Sequence, residues 1–201
     1  MGIYLFSNIL WMFGINGSSI VFPIVFALGI ANTGLNGELV NLGKDPTAIM
    51  NLQMFRYALL GGAGNTLGLV LLMCRSKSKH ISSIGRLSIV PGICGINEPI
   101  MFGAPIVLNP IMFIPFVFVP VINAIIGYFA TSWGLVNHLV VLNSGVEPIF
   151  VNAWVLGAFT LSPVILCIVL FILDLVLYYP FVKLQIKQNT LEAQNEGAAV
   201  E

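Results

Sequence analysis

Long apolar stretches dominate this sequence, and they are interrupted by glycine, proline and asparagine rather than by charge. Residues 3–30, 87–109, 110–132 and 150–179 all reach the length of ~20 mostly apolar residues that crosses a bilayer as a helix. Eight basic and eight acidic residues leave 8% of the chain charged, against ~25% in an ordinary soluble domain. Ionic side chains are what normally cover a soluble surface. A soluble globular domain, a disordered chain and a coiled coil are therefore excluded. A net charge of zero gives no electrostatic footprint for nucleic acid. The runs are too long for the short alternating strands of a barrel. What remains is an all-α integral membrane protein.

The interruptions carry the next layer of information. In lipid, irregular backbone is tolerated only where protein buries it or where it lines a cavity. Residues 3–30 are broken at Gly14, Gly17 and Pro23, with Asn16, Ser18 and Ser19 in the middle of the run. This predicts a broken helix, or a helix followed by a re-entrant turn. Residues 31–46, punctuated by Gly34, Gly37, Gly43 and Pro46, read as a polar loop. Residues 47–74 read as one helix, in which Gly61, Gly62, Gly64 and Gly68 permit close helix approach and Arg56 snorkels to the interface.

Residues 87–109 are apolar but broken at Pro91, Gly92, Gly95, Pro99, Gly103 and Pro105. Two half-helices meeting at Asn97-Glu98-Pro99, a re-entrant hairpin, fit this better than one span. Residues 110–132 then span, kinked by Pro115 and Pro120. Residues 133–149 fit either an interfacial loop or a second short hairpin. Residues 150–179 make the last span, ending at Tyr178 and Tyr179 in an aromatic belt. The transport domain thus covers 1–187, and 188–201 form a polar, acidic, disordered cytoplasmic tail.

Orientation follows from charge. Residues 75–86 hold Arg75, Lys77, Lys79 and Arg86 with no acid, which places them in the cytoplasm. A re-entrant segment returns to its own side, and two spans follow. Lys183, Lys187 and the C-terminus then lie in the cytoplasm too. The first charged residue is Glu38, so no positively charged n-region of a signal peptide is present.

Glu98 is the acid inside a strongly apolar segment. A carboxylate at membrane depth faces a cavity, pairs with a partner or handles a substrate. Asn97 adds an amide, and Pro99 opens a half-helix with free N–H groups. Together these suit a polyhydroxylated ligand, because a carboxylate accepts strong bonds from hydroxyls. The alternative is a structural Glu98 paired to Asn16 or His138. Asn16, beside Gly17, is either a second ligand-binding residue or a turn residue. His80 reads as solvated and His138 as interfacial. Glu147-Pro148 reads as the cap of the last span. Asp174 reads as structural, at the interface or paired with Lys183. Cys74, Cys94 and Cys167 are odd in number and widely spaced, so neither a zinc site nor a disulfide framework is expected. There is no phosphate-binding loop, HExxH or GxSxG. No cofactor, metal or catalytic nucleophile is expected in this chain.

The run GICGINEPIMFGAPIVLNPIMFIPFVFVPVINAIIGY (92–128) resembles the signature region of membrane IIC components of the bacterial phosphoenolpyruvate-dependent sugar phosphotransferase system, in the lactose/cellobiose (chitobiose) branch. WMFGING (11–17), GGAGNTLGL (61–69) and RSKSKHISSIGRLSIVPGI (75–93) fit the same family. The resemblance implies a permease of the bacterial cytoplasmic membrane, with two re-entrant hairpins in its substrate domain. Such a permease binds a β-linked disaccharide while a phosphorylated IIB partner phosphorylates it. It implies that Glu98 binds sugar hydroxyls with Asn97 in support, and that the phosphocysteine lies on the partner. Two departures stand out. The family motif reads FGIHG where this chain has Asn16, and asparagine cannot serve as a general base near neutral pH. The chain also corresponds to the C-terminal half of a member. A separate N-terminal half, which supplies the family's homodimer interface, would then cover Phe6, Phe13, Phe22 and Phe26. The rival readings are a fragment or split-permease subunit without transport of its own, and a passive solute channel.

Overall fold

A computed structural model describes residues 1–104, 106–141 and 147–198 of the chain, and the described residues are helical with no strands. The helices are α1 (Gly2–Met12), α2 (Gly17–Asn41), α3 (Leu67–Cys74), α4 (Lys79–Ile93), α5 (Glu98–Gly103), α6 (Pro110–Ser132), α7 (Ile149–Leu156) and α8 (Ser162–Ala198). Helices α2, α6 and the Ser162–Gln188 part of α8 are long and apolar enough to cross a membrane. Of these, α6 is the central one, with 50% of its apolar window buried against 22% for α2 and 28% for α8. Its Phe116 is fully buried, as are Tyr57, Leu170 and Tyr178. Phe6, Phe13, Phe22 and Phe26 point outward from α1, α2 and the turn between them.

The first apolar run breaks at Phe13–Asn16 and not at Pro23, which lies inside α2. The expected polar loop at 31–46 is mostly helix, because α2 continues to Asn41. Its polar residues form a stripe that binds the returning chain. Asn32 Nδ2 donates to the Met50 carbonyl at 2.7 Å. Asn36 both donates to the Ala48 carbonyl at 2.7 Å and accepts from the Ala48 N–H at 2.9 Å. Thr33 Oγ1 accepts from the Leu52 N–H at 3.3 Å. These residues look loop-like only when their partners are not in view.

The expected single helix over 47–74 is also corrected. A 3₁₀ segment (Leu52–Ala58) leads to an irregular turn at 59–66, and only then does α3 begin. Gly61, Gly62, Gly64 and Asn65 all have positive φ, so three of the four glycines assigned to helix packing make a turn instead. Gly68 keeps the packing role, since a Cβ there would lie 3.1 Å from the Leu175 nitrogen on α8. Arg56 lies in the 3₁₀ segment and not in a helix that spans. It is half-buried, and burial pushes its guanidinium below the usual range, with the charge of Glu147 opposing.

Only residues 75–78 of the basic segment are non-helical, since α4 starts at Lys79. Helices α4 and α5 are the arms of the expected re-entrant hairpin, and Cys94–Asn97 form its tip. Fifteen residues of α4, at ~1.5 Å each, carry the tip ~22 Å from the basic turn.

The last span is divided. The N–H groups of Val140 and Val141 both meet the Leu156 carbonyl at the end of α7. A bend at 157–161 then leads into α8. The expectation of an interfacial loop or a second short hairpin over 133–149 falls partly on residues 142–146, which lie outside the described residues. Pro148 is the N-cap of α7 and not of α8, and beside it Glu147 Oε2 accepts from Asn152 Nδ2 at 2.9 Å. Asp174 does not meet Lys183. It is fully buried and bonded to Asn123. The tail expected to be disordered is helical as far as Ala198.

One cavity is lined by Met73 and Ile81, which flank the basic turn, and by Met112, Val182 and Gln185. The basic turn, the start of α6 and the Lys183–Lys187 part of α8 therefore share one end.

Candidate functional site

An open cleft of about 480 Å³ lies where the hairpin tip, the 59–66 turn and the α1–α2 break converge. It is lined by Asn16, Asn97 and Glu98, so all three residues singled out from the sequence meet there. Trp11, Ser18, Ser19 and Phe22 line it too, with Gly62 and Ala63 from the turn. The sequence signal for the serines was their place inside an apolar run, and Trp11 opens the WMFGING motif. Gly62 and Ala63 gave no signal beyond a glycine cluster.

The three predicted residues differ in what they can do. Glu98 is exposed to the cleft. Its carboxylate has no hydrogen-bond or ion-pair partner among the described residues, so the structural pairing with Asn16 or His138 is not formed. His138 instead lies at the opposite end, in a second cleft with Asp45, Asn137 and Thr160. Burial pushes its imidazole below the usual range, with the Asp45 charge opposing.

Asn16 is the N-cap of α2, and its Oδ1 accepts from the Ser19 N–H at 3.0 Å. Its NH₂ has no partner among the described residues and remains a donor. The turn reading is thus realised, in a side chain that also lines the cleft. Asn97 is buried, and its Nδ2 donates to the Ala63 carbonyl at 3.3 Å. It clips the hairpin tip to the neighbouring turn. Gly62 makes room for it, since a Cβ there would lie 2.8 Å from Asn97 Oδ1.

The expected free donors at the start of α5 are largely absent. The N–H groups of Ile100 and Met101 turn back to the Asn97 carbonyl, and Pro99 has none. The opposite wall supplies hydroxyls instead. Trp11 Nε1 donates to Ser18 Oγ at 3.2 Å, fixing the indole edge and the serine together. Chemically, the cleft offers one carboxylate acceptor, an amide donor, two hydroxyls and aromatic surface, at the depth of the hairpin tip.

Residues 1–120 match the family described as "Phosphotransferase system, EIIC". The chain belongs to this family. It is 40% identical over 188 residues to the "PTS system lactose-specific EIICB component" of Streptococcus mutans serotype c, covering 90% of this chain and 32% of that one. It is 41% identical over 191 residues to the lactose-specific EIICB component of Lactococcus lactis subsp. lactis, covering 93% of this chain and 33% of the other. The crystal structure of the transporter ChbC, the IIC component from the N,N'-diacetylchitobiose-specific phosphotransferase system, superposes with a TM-score of 0.91 at 36% identity. That match covers 96% of this chain and 45% of ChbC. This EIIC chain thus spans about a third of the length of the curated relatives it matches. Its helical membrane fold, with broken helices between spans, is the fold of a IIC transporter.

Proposed function

We propose that this chain is the sugar-binding part of a phosphotransferase permease for a β-linked disaccharide of the lactose, cellobiose or chitobiose type. The observation that carries the reading is the convergence of Glu98, Asn16 and Ser18–Ser19 on one cleft of about 480 Å³. That volume lies within the ~300–1,000 Å³ usual for small-molecule sites. A disaccharide presents many hydroxyls and apolar C–H faces. The Glu98 carboxylate accepts hydroxyl protons, Asn16 donates to a ring or hydroxyl oxygen, and Phe22 with the indole edge of Trp11 meets an apolar face.

We infer that phosphorylation takes place on a sugar held in the same cleft. A hydroxyl of the bound sugar attacks phosphorus on the phosphocysteine of a cytoplasmic IIB partner. The S–P bond breaks, the thiolate leaves and the hydroxyl proton passes to a base. Glu98 is the cleft carboxylate that orients this hydroxyl. Asn16 cannot take the proton, so it binds rather than catalyses. Fused EIICB relatives support a IIB partner for this chain. A separate N-terminal IIC half would cover the outward phenylalanines of α1 and α2, and a homodimer would then form through that half. The shared end of the basic turn and of Lys183–Lys187 supports a cytoplasmic C-terminus in a bacterial plasma membrane.

The test is disaccharide binding to the purified chain in nanodiscs, with lactose, cellobiose and diacetylchitobiose. Saturable binding is expected. Hydrogen bonds to a charged group contribute ~1.5–3 kcal/mol each, so loss of two in Glu98→Gln should weaken binding by ~100-fold or more. Unchanged affinity in a well-folded Glu98→Gln variant overturns the assignment.

A further inference from the structure

A second cleft, of about 440 Å³, takes no part in the chemistry above. Val40 near the end of α2, Val136 just past the end of α6 and Thr160 just before the start of α8 all line it. The three helices long enough to cross a membrane therefore bring one end each to this cleft. At their other ends, α6 and α8 place Met112 and Val182 beside the basic turn. The cleft thus opens on the face of the membrane opposite that turn. Trp133, which follows α6, and Trp154, packed edge-on against Phe159 before α8, are exposed there, as tryptophans are at a membrane–water interface.

The cleft is polar where the spans stop. Asp45, Asn137, His138 and Thr160 line it. The Asp45 carboxylate, the Asn137 side-chain amide and the His138 imidazole have no hydrogen-bond partner among the described residues. Thr160 Oγ1 donates to the Gly157 carbonyl at 2.7 Å, which leaves its lone pairs to accept. The backbone between these groups is held from behind, since the Asn137 N–H donates to Ser162 Oγ at 3.1 Å. An anionic acceptor, an amide, an imidazole and a hydroxyl oxygen are groups that bond hydroxyls. The Asp45 charge repels an anion, so the set suits a neutral polyol better than a phosphorylated one. The volume lies within the ~300–1,000 Å³ usual for small-molecule sites.

The two clefts are distinct. They share no lining residue among the described residues. One buried apolar cluster joins them: it holds Val136, on the far cleft, with Leu139, Met54 and Tyr57, and Leu60, the neighbour of Leu59 on the cleft that holds Glu98.

We propose that the far cleft is a second disaccharide site, with Asp45 and His138 as binding residues and Asn137 and Thr160 beside them. In the orientation proposed above it faces outward, the side from which a permease takes its sugar. The identity of the ligand rests on the function proposed above.

The experiment follows the His138 ring by NMR, in the full chain labelled at histidine and held in nanodiscs. His80, the other histidine of the chain, is exposed in the basic segment and serves as internal control. Lactose, cellobiose and diacetylchitobiose are titrated into wild type, Glu98→Gln and Asp45→Asn. A saturable shift of the His138 signal, with His80 unmoved, is expected in wild type and equally in Glu98→Gln, whose altered side chain belongs to the other cleft. Asp45 is exposed, so its replacement leaves the fold intact. Asp45→Asn should weaken the binding seen at His138 about tenfold or more, the effect of losing a hydrogen bond to a charged group. No His138 shift with any of the three sugars overturns the proposal. So does a shift that disappears in Glu98→Gln, because it would be transmitted from the other cleft, and so does unchanged affinity in Asp45→Asn. If Glu98→Gln leaves total sugar binding untouched while the His138 shift persists, the reading of the Glu98 cleft fails and the second site stands.

Discussion

Replacing Gly62 with alanine should disturb the cleft without altering any of its polar side chains. Gly62 has φ 88° and ψ −164°, a region essentially reserved for glycine, where another residue costs ~1–3 kcal/mol. The new Cβ would sit 2.8 Å from Asn97 Cβ, Asn97 Oδ1 and the Gly95 carbonyl oxygen. No real Cβ tolerates such contacts, so Asn97 must move away from Ala63. Its 3.3 Å hydrogen bond to the Ala63 carbonyl is then lost, at ~1 kcal/mol. The junction between turn and hairpin tip should weaken by ~2–4 kcal/mol in all. Thermal unfolding and disaccharide titration in nanodiscs read this out as a lower Tm and an affinity reduced by ~10-fold or more. Gly95→Ala is the control. Its φ of 80° is also strained, but nothing lies within 4 Å of its Cβ, so it isolates the backbone cost from the collision. A Gly62→Ala protein with wild-type Tm and affinity would refute the claim that this glycine braces the tip.

Three further outcomes are expected. Asn16→Ala removes the cap of α2 and should lower stability by ~0.5–2 kcal/mol as well as weakening sugar binding, whereas Asn16→Asp should keep the cap and isolate the loss of the amide donor. Asn8 Oδ1 accepts the buried Gly64 N–H at 3.1 Å, so Asn8→Leu should cost ~1–3 kcal/mol in thermal unfolding by orphaning that donor. Because burial depresses the His138 pKa, its contribution is full above pH ~6.5 and is lost as pH falls towards the folded value, where the unfolded chain binds the extra proton. Plots of Tm against pH for wild type and His138→Gln should therefore change their separation only below pH ~6.5, and parallel curves throughout would contradict this.

Much of the architecture was legible because lipid leaves few choices. Apolar runs without charge must be helices, and a run broken by proline, glycine and an acid must line something polar. This logic found the hairpin, although its tip is Cys94–Asn97 and Glu98-Pro99 already belong to α5, and it found Glu98, Asn97 and Asn16 as candidates. The errors share one cause. Asn32, Thr33 and Asn36 resembled a loop because their partners, Ala48, Met50 and Leu52, come from a segment that returns to them only in the fold. Gly61, Gly62 and Gly64 serve equally well in a helix contact or a positive-φ turn, and the composition of the segment is the same in both.

The sequence by itself determined the class of the molecule and the chemistry available to it. Hydrophobicity acts residue by residue, and the cost of an unpaired polar group in lipid applies wherever the chain happens to run. Only the tertiary structure decided which polar group meets which. It turned Asn97 towards Ala63 and left Glu98 open to the cleft, although the two are adjacent in sequence. It also sent Asp174 to Asn123 rather than Lys183, because hydrogen bonds are short-ranged and their partners are chosen by packing between helices distant in the chain.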